Sequence, residues 1–380
     1  MNKERAGSGS RTVAMGHIEE GSAFLELSAA QKGSTGPETR PRSPALPSPA
    51  RLTEQAFAFQ RTAALKAAVG LDVFTAIGEG HDTLVALAKR CRAAKRGVRI
   101  LCDYLVVLGL LEREGERYRA VPDANAYLNR QSPAFIGDAL DFIASETALK
   151  AALDDPAAVA RKGGTVLDNR EHFVAPNHPN WRVYARALAP MMARSAAFLA
   201  ELHASHGDEF DSILDIAAGP GQNGIALARR IPNARVTAVD WPSVLEIASE
   251  NAQAAGLGER WQALPGNALN TDFGGTYDAV LIARFLHLLA PDACEALLCR
   301  AHTALAPGGR IVVLQLILND DRVSPPFAAM MNFSAIATTP AGQIPTASER
   351  CCSARRVSIV SNGARLWTPT NGSSLGIKRT

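Results

Sequence analysis

The spacing of apolar residues divides the 380-residue chain into four stretches. Residues 1–50 mix Gly, Ser, Pro and charge without a period, and Pro37, Pro41, Pro44, Pro47 and Pro49 close the segment, so a disordered tail is expected there. Met15 is a second candidate start. From Leu52 the spacing becomes helical. AAVGLDVFTAIGEG places Val69, Leu71, Val73 and Phe74 at apolar positions, Asp82-Thr83 suits a helix N-cap, and Val98, Leu101, Leu105 and Leu108 recur at three- and four-residue intervals. LLEREGERYRAV then predicts two short strands about a turn at Glu114-Gly115. Helix, helix and a two-stranded wing is the order of a winged helix-turn-helix. More helical sequence runs from Ala134 to about Ala160 and breaks at Gly163-Gly164, which sets a first, mostly helical domain over 51–165. The amphipathic run WRVYARALAPMMARSAAFLAELHA starts at Trp181, and Pro190 inside it predicts a kink.

From Asp211 the rhythm changes. SILDIA, RVTAVD, WQALPG, YDAVLIARF and GGRIVVLQLIL read as strands, with IALARR, VLEIASENAQAAG and CEALLCRAHTALA as helices between them. Strands alternating with helices require crossovers, so residues 166–342 are expected to form an α/β domain with a mostly parallel, doubly wound, Rossmann-like sheet. Past Gln343 no period is sustained, and 343–380 reads as an atypical, unstructured tail rich in Ser, Thr and Arg.

Charge narrows the classes of partner. The net +3 sits in the tails: residues 351–380 carry +5 and residues 1–50 carry +1, which leaves −3 on the body. A nucleic-acid binder carries its basic footprint on the folded part, so no nucleic acid is expected as partner. No apolar run reaches the ~18 residues that span a membrane, and no charged-then-apolar signal opens the chain. A cytoplasmic protein without a membrane partner is expected. The six cysteines, Cys91, Cys102, Cys294, Cys299, Cys351 and Cys352, form no paired CxxC motifs, so no metal site is expected.

The chemistry starts at ILDIAAGPG, residues 213–221, where an apolar strand breaks into small residues and a helix begins. Gly219 and Gly221 allow a tight turn and close backbone approach, and the helix start behind them favours a negative ligand group. The next strand ends at Asp240, 19 residues after Gly221, where a carboxylate can accept from both ribose hydroxyls. The turn therefore suits a nucleoside with an anionic end. GxxxxGK[ST] is absent and GxGxxG is not met; Ala217-Ala218-Gly219-Pro220-Gly221 fits the form DxGxGxG with Ala217 in the first glycine place. Spacing alone leaves S-adenosylmethionine and NAD both open.

Six motifs in order carry a resemblance: LDIAAGPG, VTAVDWPSVLEIASENA, PGNAL, YDAVLIARFLHLL, LAPGGRIVV and NDDRVSPPFAAMMNFSAIATTPAG. From about Leu52 to about Gly342 the chain resembles the bacterial relatives of the plant phenolic and hydroxyindole O-methyltransferases, which use S-adenosylmethionine. The resemblance implies that the winged-helix domain serves homodimerisation. It implies that Ala217, Gly219 and Gly221, in the cofactor-binding motif that Asp215 begins, wrap the methionine end of the cofactor, that Asp240 holds the ribose, that Trp241 lies near the adenine and Asn267 and Ala268 meet its edge, with Arg284 near a cofactor-contacting basic position. His287 takes the position of the catalytic base, and an imidazole suits proton acceptance near neutral pH. Gln315 stands where relatives carry the Glu that orients that histidine; an amide can hold a tautomer but supplies no countercharge. Trp181, Tyr184, Met191, Met192, Phe285 and Met331 are candidate walls of an apolar pocket for an aromatic or polyketide-like acceptor. Relatives also continue past TTPAG with a helix and two strands, so the C-terminal strands are expected to be missing or altered, leaving a sheet edge and a patch of core uncovered.

Two other readings stay open on the sequence. Lys95, Arg96 and Arg99 could open a DNA-reading helix in a winged-helix regulator. Gln315 and the altered tail also fit a cofactor-binding pseudoenzyme.

Overall fold

The computed structural model describes residues 48–205 and 210–346, together with the backbone of 357–360 and 366–367. The disorder expected over 1–50 and most of the tail expected over 343–380 lie outside the described residues. The chain divides into two units, Met1–Leu65 and Lys66–Thr380. In the first, a helix Ala50–Ala56 precedes the start of a second, Phe59–Gly70, which runs on into the other unit. Arg61 and Glu54 pair there, while Leu52, Phe57 and Phe59 are each more than half exposed.

The second unit opens with the helices and wing that the apolar spacing predicts. Thr83 caps the helix Leu84–Arg90, its Oγ1 accepting the Ala86 N–H at 3.4 Å. The helix Lys95–Val107 buries Val98, Cys102 and Leu105, with Leu101 and Leu108 at the margin of that stripe. Strands β1 (Leu111–Glu114) and β2 (Arg117–Ala120) pair antiparallel, Glu114 opposite Arg117. The buried Tyr118 donates its hydroxyl to Asp103 Oδ1 at 2.7 Å and ties the wing to the helix.

The helical run expected from 134 to 160 is divided into Ala139–Ile143, Glu146–Leu153 and Pro156–Lys162. Ser145 and Asp155 accept the N–H groups of Ala148 and Ala158, and each side chain starts a new helix. The bend expected at Pro190 is a full break: Asn180–Ala187 and Ala189–Ser205 are separate helices.

The sheet is built from β3 (Ser212–Ile216), β4 (Arg235–Asp240), β5 (Trp261–Pro265), β6 (Tyr277–Ala283) and β7 (Leu305–Leu314), parallel and in the order β5-β4-β3-β6-β7. Side chains alternate between two cores. Leu214, Ile216, Val280, Ile282, Ile311 and Val313 enter one, and Ile213, Ala279, Leu281, Val312 and Leu314 the other. Helices cover both faces, which is why β3, β6 and the second half of β7 read as largely apolar runs.

The expectation of a bare edge past Gln343 is corrected. Strand β8 (Val357–Val360) pairs parallel with β7, Val357 opposite Ile311, and β9 (Leu366–Trp367) pairs antiparallel with β8. VSIV is a β-favouring run too short for its period to be read. Its pairing satisfies the row of backbone groups that β7 presents. Closer in, the buried Ile344 donates its N–H to Asn332 Oδ1 at 2.8 Å, and the Leu318 N–H reaches the Pro345 carbonyl at 2.9 Å.

Candidate active site

The carboxyl ends of β3, β4, β5 and β6 open onto one cleft. β3 lies where the sheet reverses its direction of growth, the place where open parallel sheets leave a crevice. The turn after β3 contributes Ala217 and Gly219 to the lining; the end of β4 contributes Asp240 and Trp241; the loop after β5 contributes Gly266, Asn267, Ala268 and Leu269. Ala283, Arg284 and Phe285 arrive at the end of β6, and Trp181 and Tyr184 close the cleft from the helix Asn180–Ala187.

The turn is wound left-handed at Ala217, Gly219 and Gly221, with φ of +54°, +56° and +78°. A Cβ on Gly221 would lie 2.8 Å from the Trp261 ring, and one on Gly224 would lie 2.9 Å from Asp215 Oδ2. Trp261 and Asp215 thus stand directly behind the turn, and Asn251 Nδ2 holds it from the side through the Pro220 carbonyl at 2.9 Å. Ala217 carries a Cβ in a conformation that costs an L-residue ~1–2 kcal/mol. Ala217→Gly is therefore expected to stabilise the fold by up to ~1 kcal/mol, after the added chain entropy of glycine is subtracted. Thermal unfolding measures it; a lower Tm for the variant would contradict strain at this position.

Two carboxylates flank the turn, Asp215 buried and Asp240 half-buried. Asp240 accepts the Gly219 N–H at Oδ2, 2.8 Å, and the Trp241 N–H at Oδ1, 2.7 Å. Burial raises its pKa to about 6, against the pull of those two N–H groups. Asp215 is fully buried, accepts the Gly224 N–H at 3.1 Å through Oδ2, and leaves Oδ1 without a partner among the described residues. Burial raises it to about 7, the Gly224 N–H opposes, and the Asp240 charge adds to the rise. Asp215 thus supports the turn from beneath and does not line the cleft.

His287 lies in the short turn Leu286–Leu288 just after β6. The residue is half-buried, but its Nδ1 is shut off from solvent and has no partner at hydrogen-bond geometry among the described residues. Burial lowers its pKa to about 4, the Arg284 guanidinium pushes the same way, and the Gln315 amide opposes them. Gln315 is buried and close enough to act on the ring, yet its Oε1 also finds no partner at bonding geometry. The His287 ring therefore has no countercharge among the described residues and is neutral at pH 7.

Among the residues that the sequence singles out, Ala217, Gly219, Asp240, Trp241, Asn267, Ala268, Arg284, Trp181, Tyr184 and Phe285 meet around the cleft. Gly221 caps the helix Gln222–Arg230 behind it. His287 is flanked by two lining residues, Phe285 and Leu288, without lining the cleft itself. The three methionines are elsewhere: Met191 is 42% exposed, Met192 is buried with its Sδ 3.7 Å from the Tyr184 hydroxyl, and Met331 lies against the core of Leu318, Ala328 and Ile344. Lining residues not foreseen are Val174, Val244, Gly266, Leu269, Ala283, Leu288 and Leu289. Gly266 and Leu269 flank Asn267, and Leu288 and Leu289 follow His287, so motif adjacency could have found them; nothing in the sequence points to Val174.

Comparison with known proteins agrees with this geometry. Residues 53–130 match the O-methyltransferase dimerisation domain, and residues 213–309 match a methyltransferase domain. A candidate O-methyltransferase from Nostoc punctiforme, known from its crystal structure, is 42% identical with a TM-score of 0.77, over 80% of this chain and 91% of that one. Human N-acetylserotonin methyltransferase, solved with S-adenosylmethionine, is 25% identical with a TM-score of 0.66, over 78% of this chain and 87% of that one. The 3-hydroxy-5-methyl-1-naphthoate 3-O-methyltransferase of Streptomyces sahachiroi is 29% identical over 77% of this chain and 84% of its own length. The chain belongs to the S-adenosylmethionine-dependent O-methyltransferases, the family that joins a helical dimerisation domain to a Rossmann-like catalytic domain.

Proposed function

We propose that the chain, as a homodimer, methylates a hydroxyl of a small aromatic or polyketide-like acceptor with His287 as general base. The observation that carries this reading is the meeting of the Asp240 carboxylate and the glycine turn with the end of β6, next to His287, around a single cleft. The residues fit the cofactor. Asp240 offers acceptor lone pairs at the ribose position, the left-handed turn admits a backbone-close ligand, and Trp241, Val244, Ala268 and Leu269 form a slot for a flat base. When bound, S-adenosylmethionine supplies a methyl group on a positively charged sulfur. Trp181, Phe285, Leu288 and Leu289 give the remaining cleft an apolar wall suited to a ring, and Trp181 is locked by its Nε1–H to the Phe173 carbonyl at 2.7 Å. Since Nδ1 is sealed, His287 takes the acceptor's proton at Nε2. The Streptomyces sahachiroi relative, by its name, methylates an aromatic hydroxyl, which supports the acceptor class. The dimerisation-domain match and the exposed apolar side chains of Leu52, Phe57, Phe59 and Val107 support a homodimer.

A pH profile tests the base. His287 must be neutral to act, and its pKa of about 4 keeps it neutral well below pH 6. With cofactor saturating, kcat/KM for the acceptor is expected to hold from pH 8 to about pH 5 and then fall. A fall centred near 6.5, the ordinary histidine value, would contradict the buried base. The KM for the cofactor should follow Asp240 instead, rising as pH drops through about 6 because the protonated acid loses acceptor capacity.

A further inference from the structure

Arg300 belongs to the helix Pro291–Thr303, between β6 and β7, and reaches the loop that follows β5. Its Nη1 donates to the Ala268 carbonyl at 2.8 Å, its Nη2 donates to the Thr271 carbonyl, and the guanidinium carbon stands 4.5 Å from the centre of the Phe273 ring. No carboxylate pairs with it among the described residues, although Arg90, Arg130 and Arg182 each hold one. A half-buried guanidinium set on two carbonyls and a ring fixes backbone, because its planar fork ties both oxygens to one rigid frame. That hold completes the hydrogen bonding of the loop. The loop's N–H groups are met from within it or from β4: Gly266 donates to the Asp240 carbonyl at 2.9 Å, Leu269 to Asn267 Oδ1 at 2.9 Å, and Asn270 and Thr271 to the Asn267 carbonyl at 3.0 and 2.9 Å. The Ala268 and Thr271 oxygens find their donor in Arg300. Ala268 is buried, so without the guanidinium its carbonyl loses its partner away from water.

We propose that Arg300 is a positioning residue for the cofactor: by tying the Ala268 and Thr271 carbonyls it keeps Ala268 and Leu269 in place as one wall of the base slot before the cofactor arrives, and so sets cofactor affinity without touching the ligand. This rests on the reading above that seats a flat base among Trp241, Val244, Ala268 and Leu269, and extends it to a side chain outside the cleft lining. The loop offers Gly266, Asn267, Ala268 and Leu269 to the cleft and two of its oxygens to Arg300, so the residue that grips it stands apart from the ligand. A loop that must be ordered at the moment of binding subtracts that ordering from the affinity, and a loop already held does not. The same helix holds a second element of the site by a separate contact: the Cys294 thiol donates to the Leu286 carbonyl at 3.2 Å, in the turn that carries His287. Arg300 and Cys294 thus serve different loops from one helix, and their effects separate.

Hydrogen exchange of the ligand-free protein and calorimetric titration with S-adenosylhomocysteine are read on wild type, Arg300→Met, Arg300→Lys and Cys294→Ala. Arg300→Met should speed exchange of the Leu269, Asn270 and Thr271 backbone amides by at least about tenfold while the amides of the glycine turn keep their wild-type rates. It should weaken S-adenosylhomocysteine binding by about tenfold, the worth of a hydrogen bond from a charged donor. Turnover at saturating cofactor should be largely kept, so that the loss appears in the cofactor KM. Arg300→Lys retains one charged donor and should recover part of both effects, and Cys294→Ala should produce neither. Faster exchange in the glycine turn as well, or the same losses in Cys294→Ala, would show a general loosening and overturn the inference. Unchanged exchange in the loop of Arg300→Met, with or without weaker binding, also overturns it and leaves the base slot in place. A loosened loop with unchanged affinity overturns it together with the base slot itself, by putting the cofactor's base elsewhere.

Discussion

His287→Ala is expected to lower kcat by ~10²–10⁴-fold, the usual contribution of a positioned general base, while the Kd for S-adenosylmethionine stays near the wild-type value. The two quantities separate because His287 belongs to the short turn after β6, whereas the glycine turn and Asp240 follow β3 and β4. Packing makes a control necessary. A Cβ on Gly342 would lie 2.5 Å from the His287 carbonyl oxygen, so the chain is tight against the backbone of this turn. His287→Gln keeps volume and polarity but cannot hold a proton, and it should be as inactive as the alanine variant. Full activity in either variant, measured as transferred methyl per turnover, would remove His287 from the chemistry.

Asp240→Ala is expected to weaken cofactor binding by ~10–100-fold, because a hydrogen bond to a charged group is worth ~1.5–3 kcal/mol. The loss has two parts. The ribose position loses its acceptor, and the N–H groups of Gly219 and Trp241 lose the oxygens that hold them at 2.8 and 2.7 Å. Asp240→Asn isolates the first part, since one amide oxygen can still receive a backbone N–H. Calorimetric titration should therefore rank wild type above Asn and Asn above Ala, with kcat at saturating cofactor largely kept. Unchanged affinity in both variants would place the cofactor away from the end of β4.

What the sequence made legible follows from the physics of each element. Strands buried on both faces are apolar at most positions, so β3, β6 and the second half of β7 are visible as near-continuous runs, and the motif SILDIAAGPG shows both the strand end and the left-handed turn. Cap residues such as Thr83 act within three positions along the chain, so local sequence suffices to find them. Two things escaped. Strand β8 owes its pairing to the free edge of β7, a partner about fifty residues distant, and its four residues carry no period of their own. Met191, Met192 and Met331 share the composition of pocket residues, but the break before Pro190 and the packing of Met331 on Leu318 and Ile344 set where they point, and neither is written in spacing. Asp215 reads as a motif residue in the sequence; only its full burial under Gly224 shows that it supports the turn and does not line the cleft.

In the proposed reaction this cleft delivers a methyl group to an oxygen under the control of His287. Single-turnover transfer of an isotope-labelled methyl from S-adenosylmethionine to a panel of hydroxylated aromatics, with the product examined by NMR, tests it most directly. Label on a ring oxygen is expected with the wild-type chain, and none with His287→Ala. Label on carbon or nitrogen would contradict it, and so would tight cofactor binding without transfer to any acceptor, which would mark the chain as a cofactor-binding pseudoenzyme.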